Sequence, residues 1–315
     1  MASQSSLCQL TLHLCPCTVY WYTNEIDNEF NRETMTYLRP HLLEDALQWL
    51  AKERPLVMAG CTDIYPTTQA PSLSGPLLDI TALDDLRGIT TADGWRRFGA
   101  ATTWDEVLQA QLPASYRMLK QAAREIGAVQ IQVSGTIGGN LCTASPAADS
   151  VPCLMALDAE VELASVSGSR RLPLSEFLTG PRRTALRPDE LLVAIHVPSH
   201  AETGLSGFAK LGARRYLVIS IAMVAARLTF EDGRITDAAL SVGACAPVAQ
   251  RHDRLESLLV GCRPAEIDQL ASQAMQMISD ALAPIDDVRA SAGYRRQAAA
   301  EIAWRTIELL CAEAA

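Results

Sequence analysis

The chain has 315 residues, with 27 Lys and Arg against 36 Asp and Glu for a net charge of −9. That length holds two or three domains of ~150 residues each, and the acidic balance excludes the basic face that a nucleic-acid surface needs. No apolar run approaches the ~20 residues of a membrane-spanning helix, while 49% hydrophobic and only 5% aromatic residues describe a large, mainly aliphatic core.

Residues 1–34 stand apart. Leu7–Tyr22 is mildly apolar with three of the cysteines, Asn24–Glu33 is acidic, and the first basic residue is Arg32. A secretory leader begins with basic residues, so this segment reads as an extension or a misassigned start. The nine cysteines form no C-x-x-C pair. Their odd count and wide spacing fit no disulfide framework. Reduced thiols in a cytoplasmic protein are expected, with no iron–sulfur cluster on this chain.

From His41 to Lys52 apolar positions recur at helical spacing, and Pro55 closes that helix. Val57, Met58 and Ala59 continue an apolar strand into Gly60, Cys61, Thr62, Asp63 and Ile64. Short strands are expected at Leu77–Ile80 and Trp95–Ala100, with a turn at Leu83–Leu86. Thr103 followed by Glu106 is a capping box for a helix over Trp104–Ala110. A second helix over Tyr116–Ile126 stops at Gly127. Next comes SGTIGGNLCTASPAADSVPCLMALD, Ser134 to Asp158, the densest backbone punctuation in the chain. Glycine allows main-chain N–H groups to approach a bulky ligand, and successive N–H groups cradle phosphate without a lysine. The plainer reading is a glycine turn between two core elements. Asp149 and Ser150 then open a helix over Val151–Leu157.

A hairpin joined through Gly168 is expected between Val161–Ser165 and Arg170–Pro173, then a strand at Leu191–Val197. The polar segment 199–206 is the best linker. Strands at Phe208–Leu211, Ile219–Phe230 and Ala238–Gly243 follow, with Asp232-Gly233 as the strongest hairpin signal. Helical patterns cover 264–280 and 288–313.

Neither glycine segment has the G-x-G-x-x-G of a dinucleotide fold or the G-x-x-x-x-G-K of a P-loop. Two glycine turns without a phosphate lysine point to a dinucleotide held mainly by main-chain amides. The pair AGCTDI and SGTIGGNLCTASPAADSVP, together with RTALRPDELLVAIHVP and FAKLGARRYLVISIA, resembles the FAD-binding medium subunit of the molybdenum hydroxylases, the xanthine dehydrogenase and carbon monoxide dehydrogenase group. The resemblance runs from about Met35 to Ala315.

The resemblance implies an α+β chain: a two-subdomain PCMH-type FAD-binding domain over 35–200, then a C-terminal domain over 205–315 with a three-stranded sheet and helices. It implies FAD as cofactor and oxidoreductase function by electron transfer. The molybdenum cofactor and [2Fe–2S] clusters would sit on a large and a small partner subunit, in a dimer of heterotrimers, with NAD+ or another acceptor downstream. It places the cofactor against Val57–Ile64 and against Thr136, Ile137, Gly138, Gly139 and Asn140. Ile126, Leu191 and Leu192 are placed near the flavin ring, where the leucines also read as strand core. Asp149 stands at the adenosine end or caps its helix. Lys210 touches the FAD or is a solvated charge. Cys61 replaces the usual glycine or asparagine and reads as a small hydrophobe rather than a reactive thiol. Arg182 and Arg183 bind phosphate or face a partner. RRYLVISIA lacks the acid of the family's R-R-x-x-D-I-A pattern. A stand-alone flavin reductase or oxidase of the same fold, and a flavin-free assembly subunit, are the competing readings.

Overall fold

The computed structural model describes residues 36–70 and 72–315; the proposed extension, 1–34, lies outside them. The first element is a three-stranded parallel sheet in the order Tyr37–Leu38, Leu77–Asp79, Leu56–Met58. Helix Leu43–Glu53 follows its edge strand, and Ala46, Leu47 and Leu50 pack with Leu78, Ile80, Leu83 and Leu86 in one core. Pro55 ends the helix as expected, after Arg54 takes a left-handed conformation.

The central sheet has five antiparallel strands: Ile89–Ala92, Trp95–Gly99, Leu191–Pro198, Glu160–Ser165 and Gly168–Pro173. Its middle strand, Leu191–Pro198, is buried at every position. Leu192, Ile195 and Val197 face a core shared with the helices, while Leu191 and Val193 face the first sheet's core. A strand covered on both faces reads as a continuous apolar run. Helix Trp104–Gln109 has the expected capping box: Thr103 Oγ1 accepts from the Glu106 amide at 3.2 Å, and Glu106 Oε2 accepts from the Thr103 amide at 2.6 Å.

The C-terminal sheet has four strands rather than the expected three: Leu205–Leu211, Ala222–Glu231, Arg234–Gly243 and the two-residue Gln250–Arg251. The last is too short to show periodicity, and it pairs only through Ser241 and Val242. The Asp232-Gly233 hairpin forms with positive φ at both residues, +50° and +71°, as a type I′ turn requires. One face of this sheet packs on the long helix Ala292–Ala314 and on Ala271–Ala281. From its other face, Ala225 and Ala239 join the core that holds helix Ser150–Ala156. The segment read as a linker is a packed joint: Glu202 accepts from Arg96 Nε at 2.6 Å and from Tyr116 Oη at 2.7 Å. Among the described residues, no helix is long and apolar enough to cross a membrane.

His252 is buried ahead of helix Asp253–Leu259, and its Nε2 has no partner. Burial lowers its pKa from 6.5 to about 4. The unfolded chain therefore binds the extra proton between those values, so stability is fully present above pH 6.5 and falls as the pH drops toward 4. The loss is up to about 3 kcal/mol. Urea unfolding across this window is expected to show that slope in the wild type and a shallower one in His252→Phe.

Candidate functional site

Gly60–Asp63 turns the chain from strand Leu56–Met58 into the short helix Ile64–Thr67. The main-chain N–H groups of Gly60, Cys61, Thr62 and Asp63 have no protein acceptor among the described residues. These residues are half-buried, and consecutive free amides on a cleft wall can cradle an anion. Cys61 adopts φ +54°, where glycine is most at ease. Its Sγ donates to the Ala59 carbonyl at 3.4 Å. Burial, aided by Asp79, pushes the thiol up to about 11, so it is protonated at neutral pH.

The second glycine segment works differently from the loop expected of it. Residues Ile137–Thr143 form a helix with Thr136 as N-cap. Thr136 Oγ1 accepts from the Gly139 amide at 3.0 Å. The Ile137 and Gly138 amides donate to the Thr102 and Ala100 carbonyls, both at 2.9 Å. These N–H groups are already used inside the protein, so in this segment they are not free to hold a ligand. The capping threonine makes a helix start here, and the glycines serve close packing. A Cβ on Gly138 would meet Ala100 O at 2.6 Å, and one on Gly60 would fall on the Ser134 carbonyl. The two segments therefore interlock, and Asp63 ties them further through Arg182 Nη1 at 2.6 Å and Thr143 Oγ1 at 3.4 Å.

Along this seam runs a cleft of about 530 Å³, within the range of small-molecule sites. Of the residues the resemblance places on the cofactor, all line it except Met58, Ile137, Asp149 and Lys210. Met58 and Ile137 are core beneath it. Asp149 and Lys210 pair with each other: Lys210 Nζ donates to Asp149 Oδ2 at 2.6 Å and Ser220 Oγ to Oδ1 at 2.5 Å. Burial raises the Asp149 pKa, opposed by Lys210 and Ser220. Both carboxylate oxygens are engaged, and no side-chain cap is made to the following helix. Leu191 and Leu192 are both strand core and cleft wall.

The sequence reading missed Glu190, Ile131, Trp104, Cys142 and Ile219, which also line the cleft. Arg170 holds Glu190 through Nε at 2.7 Å and Nη2 at 2.9 Å, and this pairing lowers the Glu190 pKa. Arg182 lines the cleft and Arg183 does not; the adjacent arginines gave no signal to separate them. Among the described residues, no group of His, Cys, Asp and Glu is placed to hold a metal.

A cleft of this volume, between a free-amide turn and a glycine-packed helix start, can take a nucleotide-sized ligand. Comparison with known proteins gives the family. Residues 29–200 match the FAD binding domain in molybdopterin dehydrogenase, and residues 208–310 match the CO dehydrogenase flavoprotein C-terminal domain. The chain belongs to this family of FAD-binding oxidoreductase subunits. It is 33% identical over 269 residues to the xanthine dehydrogenase FAD-binding subunit of Escherichia coli O157:H7, covering 82% of this chain and 90% of the relative. It is 29% identical to the carbon monoxide dehydrogenase medium chain of Afipia carboxidovorans, over 86% of this chain and 95% of that one. The fold superposes on a chain of the reconstituted CO dehydrogenase from Oligotropha carboxidovorans with a TM-score of 0.82 at 26% identity, covering 89% and 98% of the two chains.

Proposed function

We propose that this chain is the FAD-carrying electron-transfer subunit of a cytoplasmic molybdenum hydroxylase. It stands between [2Fe–2S] clusters on a small subunit, fed from a molybdenum cofactor on a large one, and NAD+ or another acceptor. The full assembly is a dimer of heterotrimers. The observation that carries the reading is the run of unpartnered amides at Gly60–Asp63, residues that line a cleft shared with the second glycine segment. Family membership and relatives named as FAD-binding subunits and medium chains support it. The two family spans support a division into an FAD-binding domain over 35–200 and a C-terminal domain over 205–315.

In this reading the amides of Gly60–Asp63 hold the pyrophosphate, and Arg182 offsets the charge of the Asp63 carboxylate beside it. Thr136 and Asn140 orient the nucleotide, while Gly138 and Gly139 let the helix start pack closely on Ala100 and Thr136 and so fix the cleft wall. Ile126, Leu191 and Leu192 exclude water from the ring. Bound FAD supplies acceptance of an electron pair and its release singly or together. The cleft-lining carboxylates Asp63 and Glu190 are both held by arginines, so neither is a free acid for protonating an organic substrate. This disfavours a stand-alone reductase.

Purification of the native assembly, followed by subunit analysis, metal content and absorbance, tests the proposal. One FAD on this chain, with molybdenum and iron on co-purifying subunits, is expected. A lone chain that turns over an organic substrate, or a colourless one that takes up no FAD, contradicts it.

A further inference from the structure

Between strands Leu205–Leu211 and Ala222–Glu231 the chain makes an excursion, residues 212–219. Its base is closed by the Ile221 amide donating to the Leu211 carbonyl at 2.7 Å. Inside it the Arg214 guanidinium donates to the carbonyls of Tyr216 and Leu217, and Leu217 takes φ +51°. Ile219 lines the FAD cleft, while Arg214, Arg215 and Val218 line a second cleft of about 580 Å³. The loop is thus a partition between two cavities, and its exact placement decides the shape of both.

The residues flanking this loop, Lys210 and Ser220, are the two that bond to Asp149, one to each carboxylate oxygen. Asp149 and Ser220 are buried, with Ser220 2% exposed, and Lys210, on the wall of the second cleft, keeps only 9% of its side chain exposed. Asp149 belongs to neither strand. It precedes helix Ser150–Ala156, directly after the second glycine segment. A buried ion pair gains little stability for its desolvation cost, and its best-attested use is to fix a register. Here a single carboxylate grips both sides of a loop base from the half of the protein that carries the glycine segments.

We propose that Asp149 is a positioning residue: through Lys210 and Ser220 it staples the base of loop 212–219 to the FAD-binding half and so holds Ile219 in the cleft wall. The identity of the cleft's ligand rests on the function proposed above; the staple itself does not.

Trypsin cuts after Arg214 and Arg215, so the loop carries its own reporter. Full-length protein with and without FAD is digested under native conditions, and cleavage at these bonds is followed by mass spectrometry. Asp149→Asn is expected to speed cleavage there by about tenfold or more, and Ser220→Ala by less. In the FAD-loaded protein both variants are expected to raise iodide quenching of flavin fluorescence. Folded Asp149→Asn with a wild-type cleavage rate overturns the proposal. So does Asp149→Asn that loses FAD affinity while its loop stays protected, because that pattern marks direct contact with the nucleotide. If Asp149→Asn does not fold, Ser220→Ala decides alone: unchanged cleavage overturns the staple and faster cleavage supports it. A wild type that takes up no FAD would overturn the functional assignment, and the cleavage difference in the ligand-free protein would still judge the staple.

Discussion

Gly60→Val is expected to cost the chain at least about a hundredfold in FAD affinity and roughly 2–4 kcal/mol of stability. The reason is space rather than backbone conformation. A Cβ at Gly60 would lie on the carbonyl of Ser134 and within 3.0 Å of Gly135 Cα, and main chain cannot swing aside as a flexible side chain does. The only relief is separation of the two segments that form the cleft, which also moves the free amides of residues 60–63. Gly293→Ala is the control. It lies in helix Ala292–Ala314 with nothing within 4 Å of the added carbon, so a gain of about 0.5–1 kcal/mol is expected from helix propensity, with FAD binding unchanged. Flavin-fluorescence titration and urea unfolding of the variants measure both quantities.

Arg227→Ala is expected to be the other severe change, and to act on stability without acting on the cofactor. Arg227 is 1% exposed within strand Ala222–Glu231. It donates to Asp237 Oδ2 at 2.6 Å and to the Ala156 carbonyl at 3.2 Å, with Asp158 Oδ2 at 3.8 Å. It therefore bolts the C-terminal sheet to the end of helix Ser150–Ala156. Truncation leaves a cavity and an unpaired carbonyl, a loss of about 2–4 kcal/mol. The two carboxylates still reach water, and Asp158 keeps Arg251 at 2.6 Å, which limits the cost. Arg227→Met fills most of the volume and is expected to recover part of the loss. Denaturant midpoints rank the three proteins, while the FAD affinity of each folded protein is expected to stay within a few-fold.

How far the sequence revealed this site depended on what each residue responds to. The capping box at Thr103 and the Asp232-Gly233 turn are local chemistry, and both formed as read. The free-amide turn at Gly60–Asp63 was legible for the same reason. The second segment was not: T-I-G-G reads as a loop until Ala100 and Thr102 supply the carbonyls that let it start a helix, and those partners are distant in sequence. Asp149 shows the same limit. Its partners lie 61 and 71 residues away, so neither a capping role nor a ribose contact could be told from a loop staple. Two-residue strands such as Tyr37–Leu38 and Gln250–Arg251 carry no period at all, and sheet pairing alone defines them.

The central claim is that FAD lies in the cleft between the two glycine segments, and two cysteines placed in its wall report on that directly. Cys61 and Cys142 line the cleft, whereas Cys262 packs against the C-terminal core. Alkylation uses excess iodoacetamide at about pH 9, where the raised thiols of Cys61 and Cys142 ionise enough to react. Mass spectrometry is then expected to show Cys61 and Cys142 labelled in the FAD-free protein and protected by saturating FAD, while Cys262 labels at an unchanged rate. Equal labelling of Cys61 and Cys142 with and without bound FAD would contradict the assignment.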